Sequence, residues 1–436
     1  MGLICAPVFL LIALACALSS AIPDNCQSLV SQFTCTTNPD LITSKLPACC
    51  VAYEDYISGR YVDGNTPRVD ISFPTWINYD LMARGQRFAR ENWFSIGLAV
   101  AIGRAAIIND PDVIDAAMFT GHISFTPRGS ALNMAGFAAK AMVWYQDVQT
   151  SKPLSAEGND FLQSVNRIRW IHIMVARDIE AKRRRTKVAD VVEPSSYANI
   201  TLNERAWQAF GKDLNSSNIP PEQRSPYVLG NEPNMSIPYF NQHSLSYFML
   251  NAFAYPILMG DVFGIDACDE DLWAFNHLAG VIGYTFGLDD KFNAALQEDL
   301  FSAKEFFRNV WKGYVVPGFF NISLRAKITI ENFMAGTRLH QPSWTLELYL
   351  YRILTMLINV PAPNMYNLLT KQDRMNEDNL KRVILPKLRT NSVYRRETNA
   401  KSIQDLITVG RTYYGENYTT NWARARNTFY TPIKNM

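Results

Sequence analysis

Histidine is scarce, with five in 436 residues, so imidazole chemistry has few places to sit. The chain has no His-Glu-x-x-His pair for zinc and no Gly-x-Ser-x-Gly elbow for a nucleophile. Phosphate-cradling Gly-rich loops of the Walker or dinucleotide kind are missing too, which argues against nucleotide-dependent chemistry. Net charge is nearly nil: 42 Lys+Arg face 40 Asp+Glu, leaving +2. No global field is available to hold a nucleic acid. Tight Asn-Gly or Asp-Gly turns are rare, Asp63-Gly64 being the clear case, so hairpins are not expected. There is no internal repeat.

What is present is apolar and aromatic. Apolar residues make up 48% of the chain and aromatic ones 12%, which excludes general disorder and suits a large core or an apolar pocket. The length fits two or three domains, or one large helical one. Residues 1–21 read as a secretory signal peptide: Ala6 to Leu18 is a small-apolar run and Ser19-Ser20-Ala21 a cleavage position. A retained signal anchor is the alternative, although the run is short of the ~20 residues a span needs. Of seven cysteines, Cys5 and Cys16 leave with the signal. Cys26, Cys35, Cys49 and Cys50 crowd into residues 22–74, where an oxidising lumen favours two disulfides. Adjacent Cys49 and Cys50 would each take Cys26 or Cys35, because pairing with each other is strained. Zinc is the alternative for these four. Cys268 stands alone and is expected to be buried and inert. Five sequons, at Asn199, Asn215, Asn234, Asn321 and Asn417, suit a glycoprotein that is secreted or held in the endoplasmic reticulum lumen.

The pattern beyond residue 75 is helical. Arg84 to Ile108 is one long apolar-rich stretch. Asp110 reads as an N-cap with Pro111 at the first helical position. Leu132–Val148 and Asn159–Arg185 follow as helices, and 188–235 as surface loop with short helices. Ser236 to Gly260 carries no charged residue and is expected to be a central buried helix that opens at Ser236-Ile237-Pro238. Asp269-Glu270-Asp271 opens a helix to Phe286 and complements its dipole. Further helices are expected at Leu296–Val310, Trp344–Ile358 and Lys401–Tyr413. Leu346–Ile358 is expected to pack in the core, with peripheral membrane contact as the alternative. The basic segment 371–436 reads as a peripheral tail, leaving a helical core over 75–300 and helices packed on it over 301–370. The run Lys182-Arg-Arg-Arg185 complements the dipole at a helix end.

One helix carries the candidate chemistry. At 100° per residue, Phe161, Val165, Ile168, Val175 and Ile179 form a stripe with His172 at its centre and Arg169 at its edge. A buried imidazole with a guanidinium one turn away is costly unless both are partnered. Either a metal takes one imidazole nitrogen, or the ring simply bonds neighbouring helices. His243, at the start of the uncharged helix, is a candidate for the same pocket. His277 reads as structural, and His122 and His340 as loop or cap residues.

Three segments in order resemble a known family. Val165-Asn-Arg-Ile-Arg-Trp-Ile-His172 looks like the Val-Arg-x-x-His helix of the rubber oxygenases, which include the latex-clearing proteins and the oxygenase of mycophenolic acid biosynthesis. Phe240 to Phe253 resembles that family's next buried helix, and Ile282 to Asn293 its Gly-Tyr-x-x-Gly-x-x-Asp turn. The resemblance spans roughly residues 75–300. It implies an all-α, globin-like bundle around a non-covalent haem b, with His172 as the iron ligand and Arg169 beside the cofactor. It also implies dioxygen and an apolar isoprenoid or unsaturated lipid as reactants, and cleavage of a carbon–carbon double bond. The bacterial members carry Arg-x-x-x-Thr on the preceding helix. Here Arg128 is followed by Leu132, or in another register Asn133 by Phe137, and Lys140 is the candidate for a distal cation. That departure leaves a non-catalytic haem- or lipid-binding protein as the alternative. A third reading is an interaction glycoprotein in which His172 only fills the core.

Overall fold

Polar caps and glycine contacts set the helices and the distances between them. The computed structural model describes residues 51–65, 72–120, 127–146, 159–183, 201–226, 237–339 and 341–414. The cysteines at 26, 35, 49 and 50 and the sequons at Asn199, Asn234 and Asn417 lie outside these, as do His122 and His340. Among the described residues the architecture is all-α, and the one β feature is an isolated bridge between Asp63 and Asn241. The helices are α1 Tyr53–Ser58, α2 Tyr79–Glu91, α3 Trp93–Ile108, α4 Pro111–Thr120, α5 Pro127–Trp144, α6 Asp160–Arg183 and α7 Glu204–Asn215. Then come α8 Gln242–Met259, α9 Asp269–Phe286, α10 Leu300–Val310, α11 Val316–Phe320, α12 Leu324–Arg338 and α13 Leu346–Arg352. The last are α14 Pro363–Leu368, α15 Lys371–Asn379, α16 Leu385–Thr390 and α17 Ser392–Tyr414.

Side chains close the open amides at the helix starts. Asn78 accepts from Asp80 and Leu81 N–H. Asp110 accepts from Asp112 and Val113 N–H, with Pro111 first in the helix as expected. Asn241 accepts from Ser244 N–H and so starts α8 at Gln242, six residues after the expected opening at Ser236. Thr370 and Asp373 form a reciprocal capping box on α15.

The uncharged α8 is the central buried helix, with Leu245, Tyr247, Leu250, Phe253 and Tyr255 all in the core. Glycines let its neighbours approach. A Cβ on Gly103 of α3 would lie 2.2 Å from the Tyr255 ring, and one on Gly85 of α2 would lie 2.3 Å from the Ala274 carbonyl of α9. No single described helix is long and apolar enough to cross a membrane.

The apolar-rich stretch Arg84–Ile108 is divided between two helices, α2 and α3, which meet at Asn92 with a bend of 84°. Two local expectations change. Residues 371–414 form helices that bury Leu380, Leu385 and Leu388 in the core, so this segment packs on the body as far as it is described. Cys268 is exposed: it precedes the acidic turn of α9, and the Arg84 guanidinium donates to its Sγ at 3.2 Å.

Candidate functional site

The stripe on α6 is buried as the periodicity requires: Phe161, Val165, Ile168, Val175 and Ile179 are all in the core. His172, between them, is half-buried. Its Nδ1 is sealed from solvent and has no hydrogen-bond partner. The ring lies 5.3 Å from Phe240 and is stacked on Phe286 at 6.3 Å, centroid to centroid. Those two phenylalanines lie just before α8 and at the end of α9. The second and third segments singled out in the sequence therefore meet the first at this imidazole.

Arg169, one turn before His172, is buried and packs over the turn that ends α9. Gly287 there has φ +103°, a left-handed conformation that glycine adopts freely. A Cβ at that position would lie 2.9 Å from Arg169 Nε, so both the backbone and the guanidinium exclude a side chain. Gln242 ties the arrangement together. Its amide donates to the carbonyls of Gly287 and Asp63, each at 3.2 Å, and its Oε1 accepts from Asp289 N–H at 2.8 Å.

Lys140 on α5 is close enough for its charge to act on His172. Burial, then Lys140, pushes the His172 pKa down to about 4, so the imidazole is neutral at neutral pH. Burial and the nearby cations Arg167 and Arg104 bring the Lys140 amine down to about 7. A neutral imidazole whose Nδ1 lacks a hydrogen bond thus lies within electrostatic range of an amine whose pKa is about 7. Arg128 is in the first turn of α5, about 18 Å along the axis from Lys140 at 1.5 Å per residue, so the structure does not bring these two candidates together.

His243 belongs to a different cluster. It is fully buried, with ring centroids of Tyr56, Tyr314 and Tyr247 at 4.8, 5.1 and 5.9 Å. Neither of its nitrogens has a hydrogen-bond partner, and burial lowers its pKa to about 3. Behind it, the Tyr314 hydroxyl donates to Asp110 at 2.8 Å, and Arg60 pairs with Asp112 at 3.0 Å. His277 accepts from Asn78 N–H at 3.0 Å, a structural bond at the start of α2.

Sequence pattern alone does not mark Phe240, Phe286, Gln242 or Arg167 as site residues. Phe286 lies inside the Gly-Tyr-x-x-Gly turn, so the resemblance carries a signal for it. Arg167 sits two residues before Arg169, off the apolar stripe, and carried none. Among the described residues no group of three or more His, Cys, Asp or Glu is placed to hold a metal by itself. Asn215 and Asn321 occupy exposed positions.

No protein-family model matches the chain, and no curated relative matches its sequence. Among solved structures, latex clearing protein in its closed state is similar at a TM-score of 0.44 and 10% identity, over 81% of this chain and 85% of that one. The likeness is distant and concerns the arrangement of helices alone.

Proposed function

We propose that the protein is a haem-dependent oxygenase acting on an apolar isoprenoid or unsaturated lipid. The observation that carries this reading is the meeting of three separate segments at His172, a neutral imidazole whose buried Nδ1 has no partner. That protonation state and open valence fit an iron ligand. A single protein ligand suffices when a macrocycle holds the iron's other bonds, which suits a site without a cluster of metal-binding side chains.

His172 would hold the haem, and Arg169, fixed against Gly287, would keep the His helix in register with the α9 turn. When bound, the haem supplies the redox centre for reaction of dioxygen with a carbon–carbon double bond. Phe240 and Phe286 make the surroundings apolar, which excludes water and favours an alkene. Lys140, with a pKa of about 7, can hold or release a proton at Nζ near neutral pH. Export and glycosylation belong to the same proposal; exposed Asn215 and Asn321 support it, and a mass shift on glycosidase treatment checks it.

The test is an absorption spectrum of the purified, haem-supplemented protein. The expected result is a Soret band that His172→Ala abolishes, with oxygen uptake and carbonyl products when an unsaturated isoprenoid is added. Haem uptake that is indifferent to His172→Ala refutes the assignment. The placement of Arg128 far along α5 from Lys140 favours a second reading: a haem- or lipid-binding protein without turnover. A Soret band that depends on His172, with no oxygen uptake on any lipid, selects it.

A further inference from the structure

Away from His172, a cavity of about 350 Å3 lies between α3, α5 and α12 on one side and the chain from 341 to 406 on the other. That volume is at the lower end of the roughly 300–1,000 Å3 of small-molecule sites. Its wall is mainly apolar, with Ile96, Val100, Met134, Phe137, Leu380 and Leu406 among its residues. Neither His172, Arg169 nor Lys140 lines it: Phe137, Ala138 and Ala141 present a different face of α5 from Lys140. Gly97 lines the cavity and is exposed, and a Cβ added there would meet nothing within 4 Å. It marks the mouth.

Two guanidiniums reach this wall, and they differ. Arg352 is neutralised by Glu377 at 2.7 Å. Arg104 has no carboxylate partner among the described residues: its Nη2 donates to the Asn133 side chain, its guanidinium carbon stands 5.3 Å from the centre of the Phe333 ring, and the charged group it acts on is another cation, Lys140. Its Nε is buried without a hydrogen-bond partner. Burial lowers its pKa to about 10, and the one group acting against that is Tyr349, not a carboxylate. A cation in low dielectric without a counter-charge is an unfavourable state that an arriving anion relieves.

We propose that this cavity binds a single-chain amphiphile with an apolar tail and a carboxylate head, the tail against the α3–α5 wall and the carboxylate on Arg104. A carboxylate offers the acceptor geometry that a guanidinium fork matches. A neutral lipid of the same length would fill the same space and leave the Arg104 charge uncompensated. The inference uses none of the residues assigned to haem, so it stands or falls separately from the oxygenase reading.

The experiment titrates the purified, haem-free full chain with cis-parinaric acid, a fluorescent polyene carboxylate, and separately with its methyl ester. The acid is expected to bind at least about tenfold more tightly than the ester. Arg104→Met should reduce the acid to the ester's affinity, while the ligand-free variant unfolds at the same or a higher temperature because a buried charge is gone. Gly97→Phe, which extends into open space from a helical glycine, should weaken both ligands about tenfold or more with the fold retained. Equal affinity for acid and ester in the wild type, no binding of either, or a preference that survives Arg104→Met overturns the proposal. A missing Soret band would leave these outcomes unchanged.

Discussion

Replacing Lys140 by methionine is expected to stabilise the ligand-free protein, and by more at lower pH. The amine is buried near Arg167 and Arg104, and its pKa falls from 10.5 to about 7. At about 1.4 kcal/mol per unit, that interval sets a ceiling of about 5 kcal/mol on the penalty for carrying the charge in the fold. Rearrangement and water entry recover part of such penalties, so a gain of about 2–3 kcal/mol is expected. Below pH 7 the amine is protonated both folded and unfolded, and the fold bears the whole penalty. Between pH 7 and 10.5 the unfolded chain keeps a proton that the folded chain has released, so wild-type stability climbs through that window. Methionine has no such dependence. Urea unfolding of both proteins at about pH 6, 7.5 and 9 therefore should show a variant advantage that shrinks as pH rises. A difference independent of pH, or a variant less stable at pH 6, would mean that the amine is hydrated and does not act on His172.

His243→Phe is expected to raise stability by about 1–2 kcal/mol, because two buried nitrogens without partners are removed from an aromatic cage; the Soret band of the haem-loaded protein should be unchanged, and its loss would move His243 into the haem site. Gly85→Ala should lower stability by about 2 kcal/mol in urea unfolding: the methyl would meet the Ala274 carbonyl at 2.3 Å, outweighing the gain in helix propensity of about 1 kcal/mol. A variant as stable as the wild type would contradict the close α2–α9 contact. Glu377→Gln should cost about 3–5 kcal/mol by stranding the Arg352 charge, and Arg352→Met with Glu377→Leu should recover most of it. A double variant as unstable as the single one would show that packing, not charge, holds these helices.

Local rules worked where the causes are local. The α6 stripe, the Asp110-Pro111 start of α4 and the buried, uncharged α8 follow from side-chain period, capping chemistry and composition. The break between α2 and α3 does not. Asn399, on α17, donates to the Arg90 and Glu91 carbonyls and accepts from Phe94 N–H, so the bend at Asn92 is held by a residue some 300 positions away. The segment from Lys371 misleads for a related reason. Its basic, Asn-rich composition describes the outer face, whereas Leu380, Leu385 and Leu388 and the Arg352–Glu377 pair lie on the inner one.

The candidate site was legible as one imidazole and opaque in what surrounds it. His172 stands out because a polar ring interrupts an apolar stripe, a signal carried by a single helix. Lys140 gives no such signal, since a lysine in an Ala-rich helix is ordinarily solvated; its lowered pKa arises only when α5 packs where burial and two other cations act on it. Gln242 shows the same dependence on tertiary context. The Asp63-Gly64 turn, read alone, suggests a hairpin, yet Gly64 N–H bonds the Phe240 carbonyl and Gln242 N–H the Val62 carbonyl. That short pairing delivers Phe240 to His172 and aims the Gln242 amide at the Gly287 turn that Arg169 covers. The turn thus serves the site and not a sheet. Disturbing Gly64 would reach His172 through Phe240, without any direct contact between the two.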